Sequence, residues 1–158
     1  MEARLNAFKV APKAYQAMSA LQQYVNGCGL EESLMELVKM RASQINGCAY
    51  CLDMHSKDAR ANGETEQRLY LLDAWREAPF YSERERAALE WTEALTKITE
   101  GHVPDAVYMR VKTQFTDEEL ANLSMAIITI NSWNRLSIAF RAEPGHYQPK
   151  AVHAKSGS

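Results

Sequence analysis

No stretch of this chain is apolar for long. The longest run, residues 125–130, falls well short of the ~20 residues that a membrane-spanning helix needs. The first nine residues contain no uninterrupted apolar core, so a secretory signal is not expected. There is no broad basic stripe, and the formal net charge is only −2, which argues against nucleic acid or an anionic membrane as the main partner. No internal repeat, low-complexity linker or convincing strand alternation is present. Cysteine is scarce: three residues, an odd count, make no disulfide framework. What remains is 158 residues, 46% hydrophobic and 24% charged, which is the composition of one ordinary globular domain with a usable core. A cytoplasmic protein is expected.

The periodicity that is present is helical. A first helix is expected over residues 13–26, closed by Asn26-Gly27-Cys28-Gly29, where two glycines favour a turn. A second is expected over residues 31–44, with Leu34, Leu37, Val38, Arg41 and Ile45 marking one side. Asn46-Gly47 then makes a tight turn. A third helix starts near Cys48 and stops near Asn62-Gly63, and a fourth covers residues 65–75. Ser82 and Glu85 have capping-box spacing and open a helix through Ile98. Asp105 is the expected cap of a short helix ending at Phe115. Thr116 and Glu119 make a second capping box, opening a long helix to Phe140. The expectation is an all-α, single-domain helical bundle over residues 1–143, with an irregular tail over 144–158.

Chemistry concentrates in one stretch. Cys48, Cys51 and His55 stand at i, i+3 and i+7, offsets that share a helix face. Helical residues three apart have Cα atoms roughly 5 Å apart, within reach of a disulfide. Cys48 also falls near a helix N-terminus, where unpaired N–H groups stabilise a thiolate. Glu36 lies twelve residues earlier, on the preceding helix. If the Asn46-Gly47 turn folds the two helices side by side, Glu36 returns towards the third helix. A bare carboxylate beside a thiol would raise the thiol pKa, so its useful role is proton acceptor through His55. On these residues alone, Cys48 is the better placed nucleophile.

The combination Glu36, eleven residues, Cys48-x-x-Cys51, three residues, His55 resembles the alkylhydroperoxidase D family, within the wider carboxymuconolactone decarboxylase-like superfamily. The later Asn131-Ser-Trp-Asn-Arg135 and Ile138-Ala-Phe-Arg141 are similar to the C-terminal part of shorter members. The resemblance covers roughly residues 34–141. It implies an all-helical fold, homo-oligomers (trimer or hexamer) and thiol-dependent reduction of a hydroperoxide substrate. It further implies Cys51 as the attacking thiol, Cys48 as the resolving one, and Glu36 with His55 as the proton relay. A dithiol reductant or reductant protein would restore the pair, and no cofactor is implied. One departure is Tyr50, where larger members often carry histidine, and it bears on the choice of reductant.

Other readings compete. Cys48, Cys51 and His55 give three zinc ligands where structural zinc generally takes four, and nothing places Cys28 as the fourth, so no metal is expected. Cys28 is read as a small packed residue. Asn131, Trp133, Asn134 and Arg135 are read as structural, with Arg135 in a buried ion pair. Tyr50 and Trp75 either line a pocket or fill core. Besides the peroxidase, a decarboxylase-like enzyme and a non-enzymatic redox sensor stay open.

Overall fold

A computed structural model describes residues 2–149. Eight α-helices and two short 3₁₀ turns follow one another, with no strand among the described residues. In chain order the helices are α1 (Ala7–Val10), α2 (Pro12–Asn26), α3 (Glu32–Asn46), α4 (Ala49–Ala61), α5 (Glu66–Tyr70), α6 (Glu83–Thr96), α7 (Asp105–Lys112) and α8 (Asp117–Phe140). The 3₁₀ turns span Leu72–Ala74 and Ile98–Glu100. No helix among the described residues is long and apolar enough to cross a membrane.

Helix α3 sits at the centre and packs against α4, α6 and α8. Its side chains go to two clusters. Leu34 and Val38 join Trp91, Val111, Phe115, Leu123 and Ile127 from α6–α8. Leu37 and Met40 join Leu69, Leu72, Trp75 and Leu89 on the other side. A smaller cluster of Ala42, Cys48, Cys51 and Ile130 closes the end of α3. Arg41, expected on the apolar side, is indeed buried, but it is paired: its Nε donates to Glu93 Oε1 at 2.8 Å and its guanidinium reaches Asp73. Glu93 also accepts from Trp75 Nε1 at 2.8 Å, so one carboxylate ties α3, α6 and the first 3₁₀ turn together.

Local signals decide most helix ends. Both capping boxes form as expected, at Ser82–Glu85 and Thr116–Glu119. Several expectations need correction. The helix expected over 65–75 is broken: α5 ends at Tyr70 and the chain tightens into a 3₁₀ turn that buries Leu72. The sixth and seventh helices end early, at Thr96 and Lys112. Asp105 is the first helical residue of α7, and its side chain makes no cap bond; Pro104 holds the N-cap position. Helix α1, four residues long, was not expected. Arg135 is exposed and donates to Asn131 of its own helix, without the buried ion pair.

The α3–α4 joint is a single-residue reversal. Gly47 adopts φ 68°, ψ 35°, and its N–H bonds back to Gln44 while that of Cys48 bonds to Ser43 at 3.0 Å. These two bonds make a Schellman close, which requires the left-handed conformation at Gly47. At the far end Asn62 Nδ2 donates to Glu32 Oε1 at 3.0 Å, holding the two helices antiparallel. A Cβ at Gly47 meets nothing within 4 Å, so substitution there costs backbone energy alone. We expect Gly47→Ala to destabilise by about 1–2 kcal/mol, lowering Tm by roughly 2–8 °C in thermal unfolding, and Gly47→Asn to cost less. Equal stability of all three would show that the turn is not under this constraint.

Candidate active site

The antiparallel joint brings the four sequence candidates into one buried seam. Glu36 lies about 16 Å along α3 from Gly47, and His55 about 12 Å along α4, so the two side chains meet near mid-helix. Glu36 is 5% exposed and His55 7%. His55 Nδ1 stands 3.0 Å from Glu36 Oε2. The other carboxylate oxygen accepts from Lys39 Nζ at 2.6 Å. Burial would push the Glu36 carboxyl up, but the His55 hydrogen bond and the Lys39 ammonium outweigh it and hold the group below its ordinary value. Glu36 is therefore an ionised acceptor. It takes the Nδ1–H of the imidazole and leaves Nε2 as the free nitrogen.

Cys48 and Cys51 are both buried and unbridged. Cys48 has extended backbone and is the N-cap of α4; its sulfur accepts the Cys51 backbone N–H at 3.4 Å. The Cys51 thiol hydrogen bond is the main cause that lowers the Cys48 thiol to about 7, against the opposing effect of burial. The Cys51 backbone N–H, Ser137 and Asn134 add to it. Cys51 moves the other way: its bond to Cys48, its burial and the neighbouring charge all push it up. Within so small a space the pair carries one negative charge, and the helix N-terminus favours it on Cys48.

A polar network buttresses the joint. Asn46 Nδ2 donates to Asn131 Oδ1 at 2.9 Å and to Asn134 Oδ1 at 2.8 Å. Asn134 Nδ2 donates to Ser43 Oγ at 3.0 Å, and Asn131 Nδ2 to Thr96 Oγ1 at 3.0 Å. Asn131 and Asn134 thus fix α8 against the α3–α4 turn, and Asn134 in addition reaches the thiol pair, a contact the purely structural reading did not include.

Sequence reasoning missed four contributors. Lys39 neutralises Glu36 from one turn away. Ser137 Oγ of α8 lies 3.9 Å from Cys51 Sγ. Asp58 gathers with Glu36 and His55, their ligand-type atoms within 4.8 Å of one another. Tyr147 donates its hydroxyl to Asp58 Oδ1 at 2.7 Å. Lys39 and Asp58 are at helical offsets from Glu36 and His55, a signal that was available; Ser137 and Tyr147 come from far along the chain. The zinc set weighed from sequence is not brought together: of its members only His55 belongs to this group, and Cys28, Cys48 and Cys51 all lie outside it. Residues 144–149 carry no helix, but they are tied down: Lys57 Nζ donates to the carbonyls of Gly145 and Tyr147, and Gly145 N–H to Asp53 Oδ2 at 2.9 Å. The rest of the expected tail, 150–158, lies outside the described residues.

Several cavities border the seam, and two bear on its chemistry. One of about 410 Å³ holds Glu36, Lys39, Asp58 and Tyr147 in its wall. The other, about 290 Å³, is lined by Tyr50, Trp133 and Ser137 at the thiol end. Tyr50 is thereby a lining residue, and Trp75 is core.

An all-helical domain with a buried dithiol and an adjoining carboxylate–imidazole pair defines a class of thiol-site proteins. Comparison places it more closely. Residues 12–94 match the model of the carboxymuconolactone decarboxylase family. YdfG of Bacillus subtilis (strain 168) is 45% identical over 139 residues, covering 88% of this chain and 95% of that protein. The crystal structure of a protein of unknown function from Agrobacterium tumefaciens superposes with TM-score 0.89 at 44% identity, over 92% of this chain and 100% of that one; an AhpD-type antioxidant defence role has been put forward for it. A peroxidase-related protein from Silicibacter sp. TM1040 shares the fold, with TM-score 0.77 at 22% identity over 89% and 74% of the two chains. The chain belongs to the carboxymuconolactone decarboxylase family and is alkylhydroperoxidase D-like. That membership supports a peroxidase-related or decarboxylase-like role at family level.

The asymmetry of the two sulfurs is directly measurable. In the reduced protein, thiolate absorbance should grow in with a midpoint near pH 7. Cys51→Ala removes the thiol donor and should move that midpoint upward, towards the ordinary thiol value of ~8.5. A midpoint already at the ordinary value, unmoved by the substitution, would contradict the assignment of charge to Cys48.

Proposed function

We propose that this protein is a thiol-dependent peroxidase that reduces hydroperoxides through a Cys48–Cys51 dithiol/disulfide cycle. The carrying observation is the 3.0 Å contact between buried Glu36 and His55, on the same α4 face as the thiol pair and one turn from Cys51. A lactone decarboxylation has no use for a paired dithiol, whereas a thiol peroxidase can resolve its sulfenic acid through one.

In this reading the two sulfurs divide the work according to their electrostatics. Cys51 keeps its proton at rest and requires a base. His55, one turn on, takes that proton at Nε2, and the ionised Glu36 stabilises the imidazolium through Nδ1–H. Glu36 thus acts as an anchor for the positive ring rather than as the final proton acceptor. Cys51 sulfur attacks one peroxide oxygen, the O–O bond breaks, and the departing oxygen takes the proton from His55 as water or alcohol. Cys51 becomes a sulfenic acid. Cys48, already the thiolate, attacks the Cys51 sulfur and hydroxide leaves as water on protonation. An external dithiol or reductant protein then restores both thiols by exchange. A reducing compartment such as the cytoplasm suits this cycle. The exposed Ile128 and Ile138 on the outer side of α8 support assembly as a homo-oligomer, trimer or hexamer.

Peroxide consumption in the presence of dithiothreitol tests the roles. Cys48→Ser should slow turnover and, after one equivalent of peroxide with no reductant present, leave Cys51 as a sulfenic acid detectable with a dimedone-type probe. Cys51→Ser should show neither turnover nor sulfenic acid. Sulfenic acid on Cys48 in the Cys51→Ser protein would exchange the two roles. Turnover undiminished in Cys51→Ser would sink the mechanism, and oxidation once without turnover in the wild type would mark a sensor. Glu36→Gln should lower the peroxide-dependent rate by about 10²–10⁴-fold while both thiols remain titratable. An unchanged rate would remove Glu36 from the relay.

A further inference from the structure

Asp58 stands where three effects oppose a carboxylate. It lies in the last turn of α4, at the negative end of the helix dipole. It is half-buried. Its carboxylate also lies within 4.8 Å of that of Glu36, a like charge. The Tyr147 hydroxyl donates to it at 2.7 Å, but the segment after α8 is held without that bond. Lys57 Nζ reaches the carbonyls of Gly145 and Tyr147, and Asp53 Oδ2 accepts the Gly145 N–H. Packing alone therefore gives no reason for a charge at this position.

The charges around His55 supply one. From α3, Glu36 meets the ring at Nδ1, 3.0 Å away, but its other oxygen faces the Lys39 ammonium at 2.6 Å, so that pair is close to neutral. From α4 itself come the thiol pair, with Cys51 one turn back, and Asp58 three residues on, its carboxylate within 4.8 Å of a ring nitrogen. From α8 come Ser137 and Asn134 at the thiols, both uncharged. The segment after α8 brings Tyr147; burial, the Asp58 hydrogen bond and the neighbouring carboxylates push its phenol up, so it is a neutral donor. Lys57, next to Asp58 in the chain, turns to Asp53 and to that segment instead. Asp58 thus faces the ring as a negative charge with no cation paired to it among the described residues.

We propose that Asp58, held by the Tyr147 hydroxyl, is a positioning residue of the proton relay: the fixed counter-charge for the imidazolium that His55 becomes when it takes the Cys51 proton. This rests on the peroxidase reading above. His55 gains the proton at Nε2, and the electron pair left on Cys51 sulfur forms the bond to the peroxide oxygen. The negative charge then passes to the departing oxygen, which His55 protonates. Throughout these steps the charge on the sulfur is transient and that on Glu36 is shared with Lys39, whereas that on Asp58 stays. A buried cation needs such a partner.

Asp58→Asn separates charge from shape, because the amide oxygen still accepts from Tyr147. The first readout needs no peroxide: the ring signals of His55 in the reduced full chain, followed by NMR against pH and told from those of the other three histidines by a His55→Asn spectrum. The His55 midpoint should fall by about one pH unit in Asp58→Asn, the effect of removing one nearby opposite charge. Asp58→Glu should recover most of it, and Tyr147→Phe, which keeps the charge and loses the hold on it, should show part of the fall. The second readout is kcat/KM for hydrogen peroxide with dithiothreitol. In Asp58→Asn its acid limb should move to lower pH by the same amount, and its plateau should drop about three- to tenfold, because a weaker base takes the proton more slowly. A His55 midpoint unmoved in Asp58→Asn would overturn the inference, whatever the rate does. A midpoint that falls as expected in a protein whose wild type consumes no peroxide would overturn the peroxidase reading and leave Asp58 as the counter-charge of a buried imidazole.

Discussion

The left-handed turn at Gly47 is the constraint on which the site depends. Because one residue reverses the chain, Cys48 serves two helices at once. Its N–H closes the last turn of α3, and its sulfur caps the first turn of α4. A longer loop would free α4 to rotate about its axis, and a rotation of one residue, ~100°, would carry His55 away from Glu36. The same turn is braced from behind by Asn46, which donates to both Asn131 and Asn134. The amide network thus gives α8, a distant part of the chain, a hold on the geometry of the thiol pair.

Burial then sets how charge is distributed along the seam. A carboxylate, an imidazole and two thiols enclosed together cannot all be charged at once, because each desolvated ion needs a counter-charge or several donors. Glu36 has both in Lys39 and His55. Cys48 has the N–H of Cys51 and the Cys51 thiol itself. Cys51 faces the charge on Cys48 from a buried position, and Asn134 and Ser137 do not offset it, so it is the thiol pushed up. Among the described residues no buried side-chain polar atom lacks a hydrogen-bond partner, so the seam is satisfied as it stands.

The elements that were legible in the sequence are those decided by neighbours in the chain. Both capping boxes are four-residue signals, and both form. The Glu36–His55 pairing was legible because two helices and a one-residue turn leave little freedom in register. Where the outcome depended on packing, local pattern was insufficient. The helix through Leu71 breaks because Leu72 is drawn into the cluster with Leu37 and Trp75, which is tertiary context overriding propensity. Arg41 reads as a flaw in an apolar face until Glu93 and Asp73, 52 and 32 residues away, are seen to meet it. Ser137 and Tyr147 arrive from 86 and 89 residues beyond their partners Cys51 and Asp58, and nothing in their own surroundings announces them.

The two ends of the described chain also divide the seam by chemistry. The N-terminal arm contributes Phe8 to an apolar wall beside the thiols. The segment after α8 crosses α4, held by Lys57 and Asp53, and contributes Tyr147 beside Glu36 and Asp58. Burial, the Asp58 hydrogen bond and the surrounding negative charge all push the Tyr147 phenol up, so it stays a proton-bearing donor that orients Asp58 and does not compete as a base. Rings therefore line the wall at the thiol end of α4 and carboxylates the wall near its middle, with Cys51 and His55 one helical turn apart between them.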